Sequence, residues 1–445
     1  MDAEMMLGFL KKDGFSFSNQ PHESEVIVVN TCGFVEDSKK ESIDQILEMA
    51  KYKSEGKCEV LVATGCLTQR YSEQLAKEMP EVDAFVGLSE FDRLSEILRQ
   101  KFSTQKSDRV YVHSIELPSV QEKALSSFSP AKQILPDPDL PRVLSTPKHF
   151  TYIKVSEGCS HRCSFCIIPH IRGDLKSRSI SSIVREVQSL VDQGVKEFNL
   201  IAQDLNEYGK DLRNSTNLTD LLIQLNKLPG DFWIRPLYMY PLEFTDRLIE
   251  VMKDSEHLVK YVDMPLQHIN DRIMRSMKRG SPARYVRQVL DKLKNAMPEM
   301  AVRTTFIVGY PGETDAEFEE LYQFLNDYQF DRVGVFQYSP EEGTCAAKLE
   351  NPIPSKVKKE RYHRLMQRQQ EISLQKNQSL IGKTFRVLCD GVSEEDPLLV
   401  QGRLATQAPE IDGVTFISGE AETGEFAHVK IIGAQEYDLV GEVVG

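Results

Sequence analysis

The sequence predicts an α/β protein in three parts: an N-terminal parallel α/β domain, a central partial (β/α) barrel and a small C-terminal β barrel. Three observations predict it. Short apolar runs alternate with helical periodicity over roughly the first hundred residues and again from residue 149 to about 340. A proline-rich stretch separates the two regions, with Pro130, Pro136, Pro138, Pro141 and Pro147. Residues 380–445 change to short alternating strands broken by glycine turns. The expected divisions are therefore 1–110, a linker at 111–148, 149–379 and 380–445.

Composition sets limits on function. With 40% hydrophobic and 27% charged residues the chain is an ordinary globular protein. No apolar run approaches the ~18 residues of a membrane span, and the start, MDAEMMLGFLKKDG, has acids early and no long apolar core, unlike a signal peptide. A net charge of -13 suits a general nucleic-acid binder poorly. The eight cysteines are clustered as metal ligands would be in a reducing cytoplasm, rather than as disulfides. The expectation is a cytoplasmic monomer without a membrane partner.

In the first part, EVIVVNTCGF and EVLVATGCLTQRY read as strands with Cys32 and Cys66 just past their ends. Between them a helix carries Ile43, Ile46, Leu47 and Ala50 at i, i+3, i+4, i+7. The strand DAFVGL and a helix near residues 89–100 follow. Ligands of parallel α/β sheets bind beyond the C-terminal strand ends, so Cys32 and Cys66 are placed to share a metal. Two ordinary strand-end thiols are the alternative. Cys58 precedes its strand, too far from Cys66 to join one site, and is read as a thiol without a ligand role.

The central part opens with the strand FTYIKVSEGC and the loop that holds Cys159, Cys163 and Cys166 at C-x3-C-x2-C spacing. A loop this short can aim three thiolates at one centre, and thiolate is the ligand iron–sulfur clusters need. A four-iron cube wants four ligands, so the fourth iron stays open to a small molecule. A zinc knuckle would want a second ligand pair, and none follows soon after. Five more strand–helix repeats run to RVGVFQYSP. Their C-terminal ends, where barrel chemistry lies, carry Gln203, Asp204, Arg235, Tyr240, Gln267, His268 and Arg303, then IVGYPGE with Ile307 and Gly309.

Residues 355–379 hold seven Lys or Arg against two Glu and read as a bridging helix with a solvated basic face. The tail carries four Lys or Arg against twelve Asp or Glu, a net of -8. Such a module repels phosphate and suits a basic protein.

The Cys-x3-Cys-x-Phe-Cys run resembles the signature of the radical S-adenosylmethionine (SAM) superfamily, and EGCSHRCSFCIIPHIRG resembles its methylthiotransferase branch, closest to the members that modify an aspartate of small-subunit ribosomal protein twelve. The resemblance spans nearly the whole chain. It implies a SAM-binding 4Fe–4S cluster on Cys159, Cys163 and Cys166, with Phe165 near the adenine. Gln203, Asp204, Arg235, Gln267, Arg303, Ile307 and Gly309 are expected around SAM and the substrate. It implies a TRAM module at the C-terminus and a low-potential electron donor. It also implies a second 4Fe–4S cluster held by three cysteines. Cys32 and Cys66 match two of them, and the first belongs to a segment upstream of residue 1. The expected activity is methylthio transfer to the aspartate β-carbon. Methylthiolation of a tRNA adenosine and a non-catalytic ribosome-binding protein are the alternatives.

Overall fold

The structure is a computed structural model that describes residues 1–103, 110–112, 133–136, 138–139, 142–213 and 215–444. Most of the expected linker at 111–148 lies outside the described residues. The chain divides into two compact units. The first comprises residues 1–145, 157–176 and 339–348; the second comprises residues 146–156, 177–338 and 349–445.

The first unit is built on a parallel sheet in the order Val26–Thr31, Val60–Gly65, Ala84–Val86, Val110–Val112. Its second strand is buried at every position, as a near-continuous apolar run in a parallel sheet should be. Alternation sorts its side chains to two faces. Val60 and Val62 pack with Met5, Met6 and Leu10 of the helix Asp2–Lys12 and with Leu94, Ile97 and Leu98 of the helix Leu94–Ser103. Leu61 and Ala63 pack on the other side with Ile46, Leu67 and Leu75, from the helices Glu36–Ala50 and Cys66–Glu78. Leu47 does not join this face and is 44% exposed, because one residue beyond the buried Ile46 turns about 100° away from the sheet. Cys58 is a core residue of the same cluster.

The second unit contains six parallel core strands in two sheets: Phe150–Lys154, Glu197–Ile201 and Trp233–Pro236, then Tyr261–Gln267, Ala301–Val308 and Arg332–Gln337. A parallel bridge from Ile234 to Leu258 links them. Four of the intervening helices start at side-chain caps from Ser179, Asn217, Thr245 and Thr314, the last a full capping box with Glu317. The helix Ser355–Gln378 follows; its arginines and Lys376 are paired, Arg361 with Glu313 and Asp315, Arg364 with Glu319, Arg368 with Glu371 and Lys376 with Asp331, while Lys356 and Lys359 are exposed. A closed barrel ends the unit, in the order Thr384–Val392, Val400–Leu404, Thr415–Ser418, Leu439–Val443, Phe426–Ala434. Its Leu388 and Ala408 pack against Trp233, Val259, Tyr261 and Ala301, at the N-terminal starts of core strands. The barrel therefore leaves the C-terminal strand ends uncovered.

Candidate metal and cofactor site

The cysteine loop is shaped by glycine. Gly158 has φ +79, and a Cβ there would lie 2.2 Å from the carbonyl oxygen of Asp174. The chain can therefore double back, so that Cys159 N–H donates to the Gly173 carbonyl at 3.0 Å. Cys166 N–H donates to the Cys163 carbonyl at 3.1 Å, closing a turn before the short helix Ile168–Arg172. All three thiols and Phe165 are part-exposed. Among the described residues no three cysteine sulfurs come within 4.8 Å of one another.

Cys32 and Cys66 meet in the same unit. Thr31 pairs with Gly65 in parallel register, so the two cysteines leave adjacent strands at the same level. Gly33 lies on the next turn: a Cβ there would come within 2.8 Å of the Cys66 backbone. Cys66 begins its helix behind Gly65, whose φ is +106. Polar side chains fix the pair. Ser42 Oγ accepts from Cys32 N–H at 2.9 Å and donates to the Cys32 carbonyl at 3.1 Å. Arg70 donates to the Gly33 carbonyl at 2.6 Å and pairs with Glu341 at 3.1 Å. Arg172 Nη2 lies 3.4 Å from Cys66 Sγ. Burial pushes the Cys66 thiol up, and the Arg172 guanidinium pulls against it. Sequence reasoning missed Ser42, Arg70 and Arg172.

The expected cofactor residues divide into two groups. Gln203 and Asp204 follow the strand Glu197–Ile201, and Asp204 accepts from the backbone N–H of Asn206 and of Tyr240. Gln267 ends the strand Tyr261–Gln267 at a register shift, with φ +72 and a buried side-chain oxygen that has no hydrogen-bond partner among the described residues. Backbone strain beside an unsatisfied acceptor is the pattern of a ligand contact. His268 pairs with Glu313 at 3.1 Å and accepts from Asn270 N–H, so it supports this turn. Ile307 is half-buried, and Gly309 has φ +72 with its N–H on Glu313. These residues stand at C-terminal strand ends and fit a SAM site.

Arg235 and Arg303 do not stand there, contrary to the expectation. Arg235 sits within a four-residue strand, wholly buried, 2.8 Å from Glu197 and 2.7 Å from the Ala405 carbonyl of the C-terminal barrel. Arg303 is the third residue of its strand, 3.0 Å from Asp263 and 3.6 Å from Asp412. It lines a cavity of about 310 Å³ with Asp331, Arg332 and Asp412, at the barrel side of the core. A short polar run on a strand looks alike in sequence at either end. Counting from the strand start separates the two cases.

A three-thiol loop followed by a six-stranded parallel half-barrel defines a radical SAM enzyme, which takes an iron–sulfur cluster and SAM. The Radical SAM superfamily matches residues 153–325, the Uncharacterized protein family UPF0004 matches 1–87, and the TRAM domain matches 381–444. The ribosomal protein uS12 methylthiotransferase RimO of Geotalea uraniireducens is 42% identical over 445 residues, covering 100% of this chain and 95% of its own. That of Anaeromyxobacter sp. (strain K) is 45% identical over 451 residues, covering 100% and 90%. This chain belongs to the ribosomal protein uS12 methylthiotransferase family. Among solved structures, the radical SAM methyltransferase TsrM of Kitasatospora setae, with cobalamin and a 4Fe–4S cluster bound, has TM-score 0.52 at 14% identity, over 76% of this chain and 69% of its own. The cobalamin-dependent radical SAM enzyme OxsB has TM-score 0.51 at 12% identity, over 83% and 53%. These two speak for the fold alone.

Proposed function

We propose that this chain replaces a hydrogen on the β-carbon of an aspartate in ribosomal protein uS12 with a methylthio group. The observation that carries the reading is full-length identity to uS12 methylthiotransferases, with the three-thiol loop intact. That carbon–hydrogen bond is not acidic, so general-base chemistry cannot remove its hydrogen at a useful rate, and a radical route is required. Cys159, Cys163 and Cys166 would hold the SAM cluster, which supplies the electron for reductive cleavage of SAM. Phe165, Gln203, Asp204, Gln267, Ile307 and Gly309 would orient SAM, Gln267 through its orphaned oxygen and Gly309 by letting the backbone come close. Cys32 and Cys66 would supply two of the three thiolates of a second 4Fe–4S cluster, which would carry the sulfur to be transferred.

The acidic C-terminal barrel supports a basic protein substrate over RNA. Its twelve carboxylates against four cations repel phosphate and attract a Lys- and Arg-rich surface. No helix among the described residues is long and apolar enough to cross a membrane. The enzyme would work in the cytoplasm, as a monomer, with a low-potential electron donor.

The mass of the uS12 target peptide, from cells with and without the gene, tests the reading. Loss of the methylthio group with the gene supports it. An unmodified peptide in both strains refutes it and turns attention to hydrolysed tRNA. SAM cleavage by the wild type and not by Cys163→Ala separates an enzyme from a binding protein.

A further inference from the structure

We propose that the cavity at the barrel side of the core is a binding site for a small zwitterion, an α-amino acid with an apolar side chain: Arg332 takes its carboxylate, and Asp412 and Gln369 take its ammonium group.

The cavity, of about 310 Å³, lies among the starts of two core strands, the helix Ser355–Gln378 and two loops of the C-terminal barrel. That is the size of a small-molecule site. Arg303 and Arg332 are register partners on adjacent parallel strands, so their side chains leave the sheet on one face at one level. Like charges so placed repel unless they are compensated. Arg303 is compensated twice, by Asp263 at 3.0 Å and by Asp412 at 3.6 Å. Arg332 is not. Its Nη1 donates to the Asp331 carbonyl at 2.9 Å and to Ser373 Oγ at 3.3 Å, and its buried Nε has no partner among the described residues. The neighbouring Asp331 carboxylate is already taken, by Lys376 at 2.7 Å and by the Val302 N–H at 2.9 Å. A guanidinium left without a carboxylate beside a second guanidinium is a place for an anionic group.

The same lining holds two acceptors in want of donors. The side chain of Asp412 and the residue Gln369 are each 1% exposed. Asp412 Oδ2 accepts from Tyr261 Oη at 2.8 Å and from the Ala408 N–H at 2.9 Å, whereas its Oδ1 has no hydrogen-bond partner among the described residues. Gln369 Nε2 donates to the Phe330 carbonyl at 3.0 Å, which fixes the amide, and its Oε1 is likewise unpartnered. Buried polar groups are rarely left unpaired, and an orphaned donor with two orphaned acceptors at one cavity matches a ligand that carries both kinds of group. The charges narrow its class. Arg303, Arg332 and Lys376 stand against Asp263, Asp331 and Asp412, so the surroundings are neutral as a whole and suit neither a phosphate nor a lone amine. Positive charge is in excess at Arg332 and negative charge at Asp412, which suits a molecule whose own opposite charges are separated. Ile411 and Tyr437, both exposed, add apolar surface to the lining for an aliphatic or aromatic side chain.

Isothermal titration calorimetry on the full-length holoenzyme, with SAM saturating and no reductant, tests this. The probes are L-leucine and L-phenylalanine. They are set against isocaproate, which lacks the ammonium group of leucine, isoamylamine, which lacks its carboxylate, and inorganic phosphate. At least one of the two amino acids should bind, and the other three compounds should bind at least about tenfold more weakly, because each leaves a charged group in the cavity unpaired. Arg332→Gln should weaken the amino acid about tenfold, and Arg332→Lys, which keeps the charge without the planar fork, should weaken it less. Both variants should keep the parent's urea midpoint, since Arg332 has no carboxylate partner to lose. If Arg332→Gln fails to fold, Tyr437→Ala at the exposed rim decides: weaker binding supports the proposal, and an affinity equal to the parent's overturns it. Failure of both amino acids to bind overturns it. Isocaproate or phosphate binding as tightly as leucine overturns it too, and leaves a plain anion site. Binding that is lost in Cys163→Ala and kept in Arg332→Gln puts the amino acid at the cysteine loop and overturns it equally.

Discussion

Glu197→Gln should destabilise the junction between the core and the C-terminal barrel by about 3–5 kcal/mol, the usual cost of removing one partner from a buried pair. Glu197 and Arg235 have wholly buried side chains, 2.8 Å apart. The second oxygen of Glu197 meets Arg403 at 2.5 Å, and Arg403 in turn grips Asp390 at 2.8 and 2.9 Å. Two arginines face two carboxylates, so the network is neutral. Removing one carboxylate leaves an uncompensated positive charge in a wholly buried site. Adding Arg235→Met to Glu197→Gln restores neutrality, because Arg403 and Asp390 remain paired. The double variant should therefore be more stable than the single one, by at least ~1 kcal/mol. The assay is built into the chain. Trp233 is the only tryptophan, and its ring lies 4.8 Å from Phe426 of the barrel. Its fluorescence in urea reports barrel detachment directly. A double variant less stable than the single would refute the reasoning. Arg235→Met should also leave the Kd for SAM unchanged, because Arg235 lies at the barrel side of the core. A tenfold weaker Kd would return it to the cofactor site.

Three further outcomes follow from the same contacts. Gly158→Ala sets a Cβ against the Asp174 carbonyl at φ +79; iron at the first cluster should fall to a minor fraction of wild type, measured in the anaerobically reconstituted protein, at a local cost of at least ~1 kcal/mol. Gln267→Leu removes the unpartnered oxygen at the strand end and should weaken SAM binding about tenfold, the worth of one hydrogen bond to a charged group; equilibrium dialysis giving an unchanged Kd would exclude the contact. Arg272 chiefly, with Thr314, holds the Glu317 carboxyl at about 2, below its ordinary 4.5. That stabilisation is complete above about pH 4.5 and is lost as the pH falls toward 2. Arg272 is half-exposed, so solvent screening reduces it to roughly 1–2 kcal/mol. The Tm gap between wild type and Glu317→Gln should accordingly close between pH 5 and pH 2.5.

The second unit was legible because its signals are local. Strand and helix periods alternate, and capping residues such as Ser179, Asn217 and Thr314 stand just before the apolar runs. The cysteine loop is a spacing, and spacing survives in sequence. The helix Cys66–Glu78 escaped notice because its buried residues include Thr68, Gln69, Arg70 and Ser72. A helix that buries polar groups to hold a site loses the apolar stripe by which a helix is recognised. Arg172 was illegible for another reason: its partner sulfur is 106 residues away, and no local pattern reports such a meeting. Arg235 and Arg303 misled because polar residues on barrel strands suggest the catalytic end. Here they serve the opposite end, where a second domain must be anchored.

The grouping of the cysteine loop also changes how substitutions there should be interpreted. By sequence, residues 157–176 belong with the strands on either side of them; by packing, they belong with the first unit. Arg172 and Gly173 bind this loop to Cys66 and Cys159 in turn, so a change in the loop reaches both thiol groups. Loss of activity in Arg172 or Glu157 variants therefore cannot be assigned to the SAM cluster by default. The clamp of Asp2, Glu157 and Arg172 gives the reason: two carboxylates and one sulfur share one guanidinium. Only measurements that separate the two sites, iron with one thiol set removed and potential with the other retained, can say which of them a given side chain serves.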